Sequence, residues 1–208
     1  MIKRGLFISV EGVEGVGKST AIQFIGDFLS AHGIEWEHTR EPGGTPIAEK
    51  IRSVLLADTQ EPMTAMAELL LLFAGRAQNI ANLIEPALAA GRWVVADRFV
   101  DASFAYQGGG RQLDLEKVEY LADWVLDGLW PDLTILLDAP VSLGLSRVDA
   151  RGARDRIEKE GVAFFERVRQ IYLRLAAKSD RFAIVDATQS PDTVQAALRQ
   201  ILSQQGVH

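Results

Sequence analysis

The 208-residue sequence contains no cysteine and only three histidines. The first absence excludes disulfides, thiolate-held zinc, iron–sulfur clusters and cysteine nucleophiles. His32, His38 and His208 have no partner at metal-ligand spacing and read as solvated or hydrogen-bonded side chains. No apolar run approaches the ~20 residues of a membrane span; the richest stretch covers residues 69–74. Met1-Ile2-Lys3-Arg4 is basic, but the apolar residues 6–10 that follow are too few for a signal peptide and meet Glu11 at once. Basic residues are in the minority, 22 against 28 acidic, for a net charge of -6. That argues against nucleic acid or an anionic membrane as partner, because both select a basic face. A cytoplasmic location is expected.

What is present is an ordinary globular composition, 48% hydrophobic and 24% charged, in a chain long enough for one domain with a sizeable core. Short apolar runs at residues 5–11, 34–39, 92–97, 133–138 and 182–186 read as strands. Between them, helical periodicity marks residues 18–31, 47–56, 64–90, 115–126, 141–150, 161–177 and 191–202. Thr45-Pro46 with Glu49 looks like a helix start, and Pro86 should kink or divide the long helix. Strands alternating with amphipathic helices predict an α/β fold with a parallel sheet of about five strands covered on both faces. No repeat, low-complexity tract or linker divides residues 1–208.

The most informative segment is Gly12-Val13-Glu14-Gly15-Val16-Gly17-Lys18-Ser19, which fits G-x-x-x-x-G-K-[ST] between a predicted strand and a predicted helix. Glycines let backbone N–H groups converge on phosphate oxygens, the lysine reaches the β- and γ-phosphates, and the hydroxyl ligates Mg²⁺. A helix N-terminus behind the loop favours anions. Such a P-loop needs a further acidic group at a neighbouring strand end. Asp97 and Asp138 both qualify; Asp97 is preferred because Arg98 follows it directly. The loop interior holds no arginine. The extra positive charge of phosphoryl transfer is therefore expected from residues 150–160, where Arg151, Arg154 and Arg156 lie in a charged segment that would close as a lid.

Several segments resemble the thymidylate kinase family, bacterial type: Glu11-Gly12 through Ser19-Thr20, Thr39-Arg40-Glu41-Pro42-Gly43-Gly44-Thr45, Asp97-Arg98-Phe99, Ala105-Tyr106-Gln107-Gly108-Gly109-Gly110-Arg111 and Asp155-Arg156-Ile157-Glu158. They occur in the family's order across residues 5–190. The resemblance implies a P-loop NTPase fold and transfer of the γ-phosphoryl group of MgATP to dTMP, giving dTDP for dTTP synthesis. It implies that Lys18, Ser19, Thr20 and the loop hold the ATP phosphates, with Ser19 and Asp97 at the metal and Arg147 on adenine. Arg98 would bridge the acceptor phosphate, Arg40 would place it, and Glu11 would face the sugar 3′-hydroxyl. Phe73 would stack on thymine, or Leu72 in relatives that set the aromatic four residues before the arginine. Arg76 would bond the base edge, Ser103 and Gln107 would line the pocket, and Tyr106 would crowd a 2′-hydroxyl. The Glu41–Pro42 bond would be cis. The helices over 47–56 and 64–90 would form a homodimer interface. Alternatives are another nucleoside or nucleoside-monophosphate kinase and, from a different class, a P-loop regulatory ATPase.

Overall fold

In the computed structural model, which describes residues 4–152 and 155–207 except the side chain of Arg151, five strands form one parallel sheet. They are β1 (Phe7–Glu11), β2 (Trp36–Arg40), β3 (Trp93–Asp97), β4 (Leu133–Asp138) and β5 (Phe182–Asp186), in the order β2-β3-β1-β4-β5. Every residue of β1 is buried. Ile8 and Val10 enter one apolar cluster and Phe7 the other, on the opposite face. Alternation of side chains across a strand, with helices on both sides, is why the run reads as continuously apolar.

The first cluster is closed by α1 (Lys18–Ala31), α8 (Val162–Ala176) and α9 (Pro191–Gln204). The second is closed by α3 (Ala65–Asn79), α4 (Glu85–Ala89) and α6 (Leu115–Leu126). The remaining helices are α2 (Pro46–Leu56), α5 (Val100–Ser103) and α7 (Val141–Arg151). The predicted helix start at Thr45 is real: its hydroxyl accepts from Ala48 N, and Pro46 opens the helix. Glu49 does not complete a capping box. It accepts from Gly44 N and from Arg40 instead.

The helix expected over residues 64–90 is divided by a π-helical turn, Ile80–Ile84, where the N–H of Glu85 reaches back to Ile80 O. The wider turn lies directly before Pro86, whose ring and missing N–H are incompatible with an ordinary helical turn. A second π-helical turn, Phe104–Gly110, extends α5. No helical periodicity marks these residues in the sequence. Gly110 allows it: a Cβ at this position would lie 2.5 Å from the Phe164 ring of α8, so only glycine admits the close packing.

Candidate nucleotide-binding cleft

A cleft of about 440 Å³ opens along the C-terminal edge of the sheet, where open α/β folds bind ligands. Residues 12–17 join β1 to α1, and Gly17, in the left-handed region, caps the helix. Gly15 is also left-handed, and a Cβ there would lie 2.0 Å from Gly144 O. The loop is thus seated against α7. Lys18 Nζ folds back to donate to Gly12 O at 3.2 Å and Val13 O at 2.9 Å. Burial, assisted by Arg98, lowers its pKa to about 8; an approaching phosphate would raise it again and hold the ammonium charged.

Three groups converge beside the loop. Arg98, at the end of β3 with φ 71°, donates to Gly12 O at 2.8 Å, Glu14 Oε1 at 3.1 Å and Tyr172 Oη at 3.2 Å. Tyr106 Oη donates to the same Glu14 carboxylate at 2.8 Å, and its ring lies 4.7 Å from the Arg98 guanidinium carbon. A positive φ on a non-glycine residue is a strained conformation, here held by the Arg98 N–H to Val10 O bond of 3.1 Å. Asp97, immediately before, lines the cleft and has one buried carboxylate oxygen without a hydrogen-bond partner among the described residues. Asp138, the other acidic candidate, is committed to Arg169 by two bonds of 2.7 and 2.8 Å. The preference for Asp97 thus has a geometric basis. With the cleft residue Ser19, the orphaned Asp97 oxygen makes an all-oxygen donor set suited to Mg²⁺, which binds through one or two protein oxygens plus phosphates.

At the opposite end, Arg76 of α3 is 1% exposed yet lines the cleft. Its Nε donates to Glu41 Oε2 at 2.8 Å, and Nη2 to Ser103 Oγ at 3.0 Å and Phe99 O at 3.2 Å. Burial raises the Glu41 carboxyl and Arg76 opposes it. The Glu41–Pro42 bond is cis, as the resemblance implied. Ser103 and Gln107 line this end. Arg40 lines the middle of the cleft, paired at 2.9 Å with Glu49 on its exposed side. Arg147 donates to Gly15 O at 3.2 Å on the outer face of the loop.

Three expected placements need correction. Glu11 does not line the cleft: it is wholly buried, accepting Phe99 N at 2.7 Å and Tyr172 Oη at 2.7 Å. Of the two glutamates that flank the loop, it is Glu14 that lines the cleft. Phe73 is core, 2% exposed beneath the Arg76 guanidinium at 4.5 Å, while Leu72, one residue earlier on the helix, is the wall residue. A helix turns 100° per residue, so a spacing of three and one of four point to different faces. Arg156 turns away from the phosphate end. Its Nε donates to Leu55 O at 2.7 Å and its Nη2 to Glu68 at 2.7 Å. Of the other arginines in the segment expected to be a lid, Arg154 and the side chain of Arg151 lie outside the described residues, as does His208.

Sequence reasoning missed Arg52, which lines the cleft from α2 and donates to Pro42 O at 2.8 Å. A lone arginine in an amphipathic helix carries no motif signal. It also missed Gly144, whose role is visible only once α7 is seen to touch the loop.

Comparison with known proteins gives one family. The family model described as thymidylate kinase matches residues 10–198. The chain is 57% identical over 197 residues to the thymidylate kinase of Chromohalobacter salexigens, covering 93% of each chain. It is 53% identical over 192 residues to that of Pseudomonas putida, covering 92% of this chain and 91% of the other. The crystal structure of thymidylate kinase from Ehrlichia chaffeensis superimposes with a TM-score of 0.76 at 28% identity, covering 96% of this chain and 99% of that one.

Proposed function

The chain belongs to the thymidylate kinase family, with its P-loop NTPase fold, and from this premise we propose how its residues carry the family's reaction. The protein transfers the γ-phosphoryl group of ATP to dTMP, giving dTDP and ADP. The observation that supports our assignment of residues is a single cleft with the phosphate loop at one end and unpartnered buried polar atoms of Arg76 and Gln107 at the other. ATP phosphates would lie on residues 12–20 under Lys18, with Arg147 beside adenine. dTMP would lie with its base at Arg76, Ser103 and Gln107 against Leu72.

The acceptor is a phosphate oxygen already ionised near neutral pH, so no protein nucleophile and no strong base are required. Catalysis then consists of holding two anions in line and neutralising charge that spreads over the transferring group. Lys18 would move its ammonium from the loop carbonyls to the phosphates. Arg98, fixed by Glu14 and Tyr172, would sit between donor and acceptor phosphates. Arg40 and Arg52 would place the monophosphate, and Glu14 would meet the sugar hydroxyl that Glu11 was expected to meet. Tyr106, bonded to Glu14, would fill the space of a 2′-hydroxyl. Mg²⁺ would be held by Ser19 and Asp97 and would supply charge neutralisation at the phosphate oxygens.

We further read residues 1–208 as one domain with residues 150–160 as its lid. Arg151 and Arg154 are the lid cations proposed to reach the transferring group. The enzyme is proposed to be cytoplasmic, where both substrates occur. Among the described residues no helix is long and apolar enough to cross a membrane. A homodimer is supported by apolar side chains left exposed on three neighbouring helices, Ile47 and Val54 on α2, Leu70 on α3, and Tyr120 and Trp124 on α6, the last two 71% and 74% exposed. Light scattering should give a dimer mass for the wild type and a monomer mass for Trp124→Glu; a monomeric wild type would overturn the dimer. The residue assignments are tested by KM measurements on Arg76→Met, which should raise KM for dTMP and leave KM for ATP unchanged.

A further inference from the structure

The buried carboxylate of Glu68 on α3 lies behind the base end of the cleft and is not itself a lining residue. Four N–H groups converge on it. Oε1 accepts from Gln107 Nε2 at 2.8 Å and Arg111 Nε at 3.1 Å; Oε2 accepts from Arg111 Nη2 at 3.1 Å and Arg156 Nη2 at 2.7 Å. Burial would raise this carboxyl, but the hydrogen bonds from Arg111 and Gln107 outweigh it and hold the group below the usual carboxylate range. Ionised, it is an acceptor only.

An acceptor-only neighbour leaves the Gln107 amide one choice. Its NH₂ must face Glu68, so its Oε1 is the atom left for the cleft that the residue lines. That oxygen is buried and has no partner among the described residues, and the same holds for Arg76 Nη1. Between them Arg76 and Gln107 therefore offer one donor and one acceptor. Thymine presents the complement on adjacent atoms, a carbonyl at C4 and an N–H at position 3. Cytosine presents the reverse, an amino group and a bare ring nitrogen.

We propose that Glu68 is a specificity-determining positioning residue: by fixing the Gln107 amide it makes the cleft accept a pyrimidine that carries an N3–H and reject one that does not. Arg156 donates to the same carboxylate, so the lid is anchored to the group that orients the base reader. The inference rests on the base lying beside Arg76 and Gln107. It adds what sets the polarity of that contact.

Glu68→Gln keeps the shape but replaces one acceptor with an NH₂. Oε2 accepts from two arginine N–H groups and Oε1 from only one, Arg111 Nε, so the NH₂ falls at the Oε1 position, gives up that one bond, and turns the Gln107 amide over. The ratio of kcat/KM for dTMP to that for dCMP should then fall roughly tenfold or more, mainly through KM. Glu68→Asp remains acceptor-only, and whatever its overall activity its ratio should stay within about threefold of wild type. Gln107→Met tests the underlying placement and should raise KM for dTMP. An unchanged KM there would overturn the placement of the base and the inference with it. If Gln107→Met behaves as expected while Glu68→Gln keeps the wild-type ratio, or Glu68→Asp loses it, the inference alone is overturned. A purely structural Glu68 would lower activity with both nucleotides alike.

Discussion

Gly144→Ala isolates the seating of the phosphate loop. Gly144 lies inside α7, where alanine is favoured over glycine by about 1 kcal/mol. On helix propensity alone the substitution should stabilise the protein. Yet a Cβ at this position would stand 2.3 Å from Glu14 O, against an ordinary contact beyond about 3.4 Å. The obstacle is backbone, not a flexible side chain, so the loop and α7 must separate by about 1 Å. Displacements of that size at a positioning element cost on the order of 10²-fold in rate. We therefore expect kcat/KM for ATP to fall by roughly two orders of magnitude, with the melting temperature changed by only a few degrees. Coupled ADP-release kinetics and thermal melting measure the two effects. Ser146→Ala, on the same helix but exposed and, among the described residues, bonded through its side chain to Leu143 O alone, is the control and should retain wild-type kinetics. A Gly144→Ala enzyme with wild-type kcat/KM for ATP would refute the argument that the loop geometry depends on this contact.

The Glu11 carboxyl is raised to about 8, chiefly by burial and then by the Asp101 charge. It therefore binds a proton in the fold where the unfolded chain, near 4.5, does not. This contribution to stability is greatest in acid and is lost as pH rises from about 4.5 to about 8. Glu11→Gln should flatten that slope in urea unfolding measured across the interval; an unchanged slope would show that the group is ionised throughout. Arg156→Ala removes the bonds to Leu55 O and Glu68; if these anchor the proposed lid, KM for dTMP should rise more than kcat falls. Arg151→Ala and Arg154→Ala should instead lower kcat, and steady-state kinetics on the three variants separates the roles.

Much of this was legible beforehand because the signals are local. The strand before Gly12 and the helix after Lys18 bracket a motif whose chemistry fixes its shape. Five apolar runs gave the five strands within two residues at every boundary. What could not be read was which way a side chain turns within an element. Phe73 and Leu72 are adjacent, and only the packing of α3 on the sheet decides which one meets the cleft. Glu11 and Glu14 both flank the loop, but the first is captured by Phe99 N and Tyr172 Oη from segments 88 and 161 residues away. The charged segment points to Arg156 as a catalytic cation, and nothing local reveals its partner Glu68, 88 residues away. The π-helical turn over residues 104–110 depends on glycines meeting α8, a contact with no local signature.

The central claim is phosphoryl transfer from ATP to dTMP through Lys18, and one assay addresses it: ADP formation with ATP and each of dTMP, dUMP, dCMP, dGMP and dAMP, for wild type and Lys18→Ala. The account predicts dTMP-dependent turnover that exceeds turnover with the other acceptors and falls in Lys18→Ala on the order of 10²–10³-fold or more, with the melting profile retained. Equal turnover without an acceptor, preference for a different monophosphate, or near-normal activity of Lys18→Ala would contradict it.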